Sequence, residues 1–160
     1  MEAGSDGHLT STPEKVSGML YNVLIVEDDR EMAQSLAAQI GILGHIVAVA
    51  YGPRMALQQL NQVIPDVIFM DINMPGVNGL EVLRFLRRDP TTANVPVVII
   101  SANDTQDSIK AAIQAGANHY LIKPPTLEDI EDAFRQAIRV PPPNRPEDSN
   151  GSSPDGDLSS

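Results

Sequence analysis

The sequence predicts an α/β fold, with five parallel strands in one sheet and five helices covering both of its faces. Three observations predict it. Short apolar runs alternate five times with segments of helical periodicity. The runs are continuously apolar, as strands buried on both faces require. Strand–helix–strand alternation also argues for crossover units and hence for parallel pairing.

The elements follow in order. Val23-Leu24-Ile25-Val26 is a β-branched-rich run, and Met32, Leu36 and Ile40 then recur every fourth residue as a helix. His45 to Ala50 reads as the second strand. Pro53 opens the second helix, with Met55, Ala56, Leu60 and Val63 on its apolar side. Pro65 separates that helix from the third strand, Val67-Ile68-Phe69-Met70. Leu80, Leu83 and Leu86 mark the third helix, and Val95 to Ile100 the fourth strand. Ile109, Ala112 and Ile113 give a fourth helix, and Tyr120-Leu121-Ile122 the fifth strand. Thr126 followed by Asp129 has the spacing of a helix-starting cap before Ile130, Phe134 and Ile138.

Composition sets the limits of this domain. The chain has 160 residues, enough for one ordinary core. Residues 1–20 are mostly small and polar, and residues 141–160 begin with three prolines and continue acidic and Ser/Gly-rich. Neither segment carries enough apolar surface to offset the entropy of ordering, so both are expected to be disordered extensions flanking a domain at 21–140. Of the net charge of −10, the two extensions carry −2 and −3. That balance argues against a nucleic-acid binder, which needs clustered Lys and Arg. No apolar stretch has the length of a membrane span, and the N-terminus does not read as a signal peptide. The lack of cysteine excludes disulfides and thiolate metal sites and fits a cytoplasmic setting.

Polar residues gather at the carboxyl ends of the strands, where open parallel sheets place their sites. The first strand runs into Glu27, Asp28 and Asp29, the third into Asp71, the fourth into Ser101 and the fifth into Lys123. Each alone has an ordinary reading: Asp28 or Asp29 as a helix cap, Ser101 as a strand terminator, Lys123 as a surface charge. Together they describe a different chemistry. Grouped carboxylates repel one another, and a hard divalent cation such as Mg²⁺ relieves that repulsion through oxygen ligands. Such a cation neutralises phosphoryl oxygens while Asp71 attacks as a nucleophile. Lys123 then pairs with a phosphoryl oxygen, and the Ser101 hydroxyl donates to another.

Five separated motifs resemble, in order and spacing, the receiver domain of bacterial response regulators, over nearly all of residues 21–139. Val26-Glu27-Asp28-Asp29 resembles the acidic pair after the first strand, and Met70 to Gly79 resembles the phosphoacceptor loop. Ile99-Ile100-Ser101-Ala102 resembles the switch-hydroxyl segment, Tyr120 falls at the switch-aromatic position, and Lys123-Pro124 matches the family's lysine and proline. The resemblance implies a flavodoxin-like, doubly wound (βα)5 domain in two-component phosphorelay signalling. It would accept a phosphoryl group on Asp71 from a sensor histidine kinase or phosphotransfer protein and so change its binding to a downstream protein. Beyond catalysing its own phosphorylation and dephosphorylation, it would not be an enzyme. The implied cofactor is Mg²⁺, with Mn²⁺ as substitute, held by Asp28, Asp71, the Asn73 backbone carbonyl and, through water, Glu27. Ser101, Lys123 and Tyr120 take the phosphoryl-stabilising and switch positions; Asn73 and Asn103 take those governing phosphoryl lifetime. A homodimer through the fourth helix, fifth strand and fifth helix is a further implication.

Other positions are expected to serve structure. Gly76 and Gly79 should permit turns in the acidic loop, and Lys123-Pro124 should hold a cis peptide. His8, His45 and His119 are scattered and receive no chemical role, the last two lying near strand starts. Two rival readings stand beside a self-contained receiver. One is the receiver portion of a longer regulator, with the Pro141 segment as linker. The other is an aspartyl phosphohydrolase, against which Asn73 stands where a second acid would be needed.

Overall fold

The computed structural model describes residues 20–139. The two composition-based extensions lie outside the described residues, apart from Leu20. Five strands form one parallel sheet: β1 (Asn22–Val26), β2 (Ile46–Ala50), β3 (Val67–Asp71), β6 (Val97–Ser101) and β7 (His119–Ile122), in the order β2-β1-β3-β6-β7. Five helices alternate with them: α1 (Arg30–Ile42), α2 (Pro53–Leu60), α3 (Gly79–Arg88), α4 (Gln106–Ala115) and α5 (Leu127–Arg139). The expected α/β architecture is therefore present. Composition and periodicity did not anticipate β4 (Asn73–Met74) and β5 (Val77–Asn78), a two-stranded antiparallel hairpin between β3 and α3. Two-residue strands are too short to register as a pattern.

The unbroken apolar strands divide their side chains between two cores. Val23, Ile25, Val67, Phe69, Val98 and Ile100 meet Leu36 and Ile40 of α1 and Ile130, Ala133, Phe134 and Ala137 of α5. Their neighbours Leu24, Val26, Ile68, Met70, Val97 and Ile99 meet Ala56 and Leu60 of α2, Leu83 and Leu86 of α3, and Ala112 and Ala115 of α4. Each strand thus serves both faces by its period of two. In two helices the buried stripe departs from the expected one. In α2 the helix ends at Leu60, leaving Val63 in the connection to β3 and Met55 on the outside. In α4 the stripe rests on Ala112 and Ala115, and Ile113 points outward.

Local chemistry sets the helix starts. Asp29 accepts from the Met32 amide to cap α1, and Asn78 accepts from the Leu80 amide to cap α3. Thr126 and Asp129 bond each other's backbone amides reciprocally at the start of α5, as their spacing suggested. Between the β6 and β7 ends, Arg87 of α3 is buried with no carboxylate partner among the described residues. Its guanidinium donates to the carbonyls of Gly116, Thr92, Ala93 and Val95 and to Asn118 Oδ1. Burial lowers its pKa to about 10, which leaves it charged at neutral pH.

The two loop glycines have different duties. Gly76 adopts φ +70° in the hairpin turn, as expected. Gly79 does not take a left-handed conformation; a Cβ there would stand 2.4 Å from the Ile72 Cα, so the constraint is close backbone approach. Two alanine substitutions should therefore diverge in urea unfolding. Gly79→Ala should cost about 1–3 kcal/mol, because neither backbone can retreat. Gly41→Ala, in α1 with nothing within 4 Å of the added methyl, should gain about 0.4–1 kcal/mol.

Candidate functional site

Parallel strands all point their carboxyl ends the same way, so residues far apart in sequence converge at that edge. Glu27 follows β1, and its amide donates to the Ala50 carbonyl at 3.0 Å, which fixes it beside the end of β2. Asp71 is the last residue of β3 and Ser101 the last of β6. Lys123 follows β7, and its amide donates to the Ser101 carbonyl at 2.9 Å. The bond from Lys123 to Pro124 is cis, as expected. Glu27, Asp71 and Ser101 are buried; Asp28 lies at the open side of the group.

The carboxylate oxygens of Glu27, Asp28 and Asp71 lie within 4.8 Å of one another. Lys123 Nζ stands 2.9 Å from Glu27 Oε1 and 3.4 Å from Asp71 Oδ2, bridging the two buried acids. The remaining oxygens are also engaged: Glu27 Oε2 accepts from the Asp29 amide at 3.1 Å and Asp71 Oδ1 from the Asn73 amide at 2.9 Å. Burial pushes the Glu27 carboxyl above its ordinary pKa, with Asp71 repulsion adding and the Lys123 and Asp29 hydrogen bonds pulling back. Burial acts to lower Lys123, but its hydrogen bond to Glu27 and the charges of Asp71 and Glu27 outweigh that and raise it. The lysine is therefore held as an ammonium. Three hard oxygen donors around one point, with one lysine against two buried acids, suit a small divalent cation.

Beside the acids, Ser101 Oγ accepts from Asn73 Nδ2 and from the Asn103 amide, both at 3.0 Å. Its proton lies on neither of those bonds. The next link runs outward: Tyr120, half-buried against α4, donates its hydroxyl to the Asn103 carbonyl at 2.7 Å. The structure thus brings all eight sequence-selected residues into one connected region. Glu27, Asp28, Asp71 and Lys123 form its centre, Asn73 and Ser101 its wall, and Asn103 and Tyr120 a chain leading to the surface. Sequence reasoning missed the bond between the Asn73 side chain and Ser101, because the hairpin that positions Asn73 was not legible.

If the ammonium holds the two buried acids together, its removal should destabilise the fold. Lys123→Met should cost about 1–3 kcal/mol in denaturant unfolding at pH 7, since both buried carboxylates lose their donor. The loss should shrink as the pH falls toward the ordinary glutamate value of 4.5. Glu27 has a raised folded-state pKa, so its protonation favours the folded form as the pH drops.

The same architecture recurs among known proteins. The family model described as the response regulator receiver domain matches residues 23–135. The response regulator MprA of Mycolicibacterium vanbaalenii is 34% identical over 126 residues, covering 79% of this chain and 54% of that protein. MprA of Mycobacterium tuberculosis strain H37Rv is 34% identical over 130 residues, 81% of this chain and 54% of that protein. This chain therefore spans about half the length of these relatives. A response regulator from Chloroflexus aurantiacus J-10-fl superposes with TM-score 0.72 at 28% identity, over 76% of this chain and 100% of that one. The chemotaxis protein CheY4 of Vibrio cholerae, at 24% identity and TM-score 0.70 over 74% of this chain and 99% of that one, shares the fold. With matching motifs, a matching sheet and a family model spanning most of its length, this chain belongs to the response regulator receiver family.

Proposed function

We propose that this receiver accepts a phosphoryl group on Asp71 from the phosphohistidine of a sensor kinase or phosphotransfer protein, and that the transfer alters its affinity for a downstream partner. The observation that carries the reading is the Lys123 ammonium beside Asp71, in a pocket with two further carboxylates. An Asp71 oxygen forms the new bond to phosphorus, the donor's P–N bond breaks, and its electron pair stays on the imidazole nitrogen. Lys123 pairs with a phosphoryl oxygen, and the buried position of Asp71 limits attack by water. Mg²⁺, or Mn²⁺ in its place, would be held by Asp28, Asp71, the Asn73 carbonyl and, through water, Glu27, and would supply charge neutralisation at the phosphoryl oxygens. Asn73 and Asn103 border the acceptor and would set how readily water reaches the acyl phosphate. Hydrolysis returns the carboxylate and inorganic phosphate.

The switch follows from the chain of bonds leading outward. A dianion on Asp71 offers Ser101 Oγ a stronger acceptor than any neutral neighbour. Movement of Ser101 toward it draws on the Asn103 amide and so on the carbonyl that holds the Tyr120 hydroxyl. Release of that hydroxyl lets the ring turn inward and reshapes the face formed by α4, β7 and α5. This local charge event thereby biases a two-state element. The face would carry the downstream partner or a second receiver.

A second reading rests on length. Because the chain spans about half of its MprA relatives, it also fits the receiver portion of a longer regulator, with the proline-rich segment from Pro141 as the link to an output domain.

Incubation with acetyl phosphate and Mg²⁺ tests the chemistry. Intact mass should rise by one phosphoryl group, the gain should require the metal ion, and Asp71→Asn should show none. An equal gain in Asp71→Asn would refute the assignment of the acceptor.

A further inference from the structure

The two ends of α4 are held very differently. At the carboxyl end, Ala112 and Ala115 are the buried residues of the helix, and Gly116 and Ala117 beyond it are buried too. Arg87 of α3 donates through Nε to the Gly116 carbonyl at 3.0 Å and through Nη2 to Asn118 Oδ1 at 2.9 Å. Its Nη1 holds the Val95 carbonyl at 2.8 Å, just before β6. Asn118 completes the fastening. Its Oδ1 also accepts from the Val97 amide at 2.9 Å, and its own amide donates to the Val97 carbonyl at 2.8 Å. This end of α4 is thereby tied to α3 and to the first residue of β6, away from the acids.

The amino end has no such fastening. Residues 102–107 are all exposed, and no residue of α4 before Ala112 is buried. The Ser108 amide bonds to Thr105 Oγ1 and the Thr105 amide to Asn103 Oδ1, both within the same segment. Among the described residues, two hydrogen bonds tie the segment to the rest of the domain, and both fall on Asn103. Its amide donates to Ser101 Oγ, and its carbonyl accepts from the Tyr120 hydroxyl. These are the two bonds that a phosphoryl group on Asp71 would loosen.

We propose that Arg87 is the pivot of the switch: when Asp71 carries a phosphoryl group, α4 swings as a lever about its Arg87-held carboxyl end. The inference rests on the acceptor role proposed for Asp71, and it adds which part of the face moves and which residue fixes the rest. The helix has ten residues and is about 15 Å long, so a swing of roughly 10° carries its amino end about 2–3 Å. Asp107 stands nine residues from Gly116 and Gln114 two, so the first should move about four times as far as the second. Arg87 acts here as a positioning residue, through the Gly116 and Asn118 bonds, and touches no reacting atom.

The lack of native cysteine allows paired nitroxides in the full chain. Asp107→Cys or Gln114→Cys is combined with a reference label on Gln34→Cys of α1 or, in separate chains, Gln58→Cys of α2, all exposed positions. Pulsed dipolar distances are compared before and after addition of Mg²⁺ and beryllofluoride, with bound fluoride followed by fluorine resonance. From at least one reference, Asp107 should shift by about 2–3 Å, while Gln114 should shift by less than about 1 Å from both. In Arg87→Lys, which keeps the charge but loses the planar fork, the Gln114 shift should rise to about half that of Asp107 or more. The distances with the native arginine decide the lever whether or not the lysine chain folds. Equal shifts at the two labels, or none with fluoride bound, would overturn it. A Gln114 position that stays fixed in a folded Arg87→Lys chain would overturn the arginine as pivot. Absence of bound fluoride would instead remove the acceptor reading of Asp71, and the lever with it.

Discussion

Two carboxylates buried side by side are the constraint on which the rest of this molecule depends. Glu27 and Asp71 sit at the ends of adjacent strands, and burying both raises the free energy of the fold unless a cation answers them. Lys123 answers from two strands away, reaching Glu27 and Asp71 at 2.9 and 3.4 Å. The sheet makes that reach possible. Its parallel order places β1, β3 and β7 with their carboxyl ends at one edge, and the two apolar cores hold the strands in register. One ammonium against two buried acids and a third more open one leaves the pocket short of positive charge. The same feature that burdens the fold therefore suits the pocket to a divalent cation.

Much of this was legible in the sequence because two independent signals agreed. Continuous apolar runs identified the strands, and the polar residue following each run identified the edge where side chains converge. Glu27, Asp71, Ser101 and Lys123 were readable on that basis alone, since each ends or follows a strand. Asn73, Asn103 and Tyr120 were readable only through resemblance to a family, because nothing in their spacing marks them. The structure gives them a physical connection through the Ser101 hydroxyl and the Asn103 carbonyl.

The misreadings share a cause. Val63 and Ile113 continued a helical period, yet one lies beyond the end of its helix and the other faces outward. Periodicity marks where a stripe can fall, but neighbouring elements decide which turns it covers. The β4–β5 hairpin was invisible because two residues a strand carry no period. Gly79 looked like a turn residue, whereas its constraint comes from the Ile72 backbone across the loop, a contact with no trace in local sequence.

Arg87 offers a last consequence. The stem of its side chain fills the space that a side chain at Gly116 would need, since a Cβ there would lie 2.8 Å from the arginine Cγ. The two positions are 29 residues apart and belong to different helical units. They nevertheless meet in one contact. A larger residue at 116 excludes the arginine, and loss of the arginine leaves several inward-facing carbonyls without their donor. Gly116 is held twice over, by the arginine stem beside it and by its own φ of +115° at the end of α4, so loss of the arginine alone would not open the position to a larger residue.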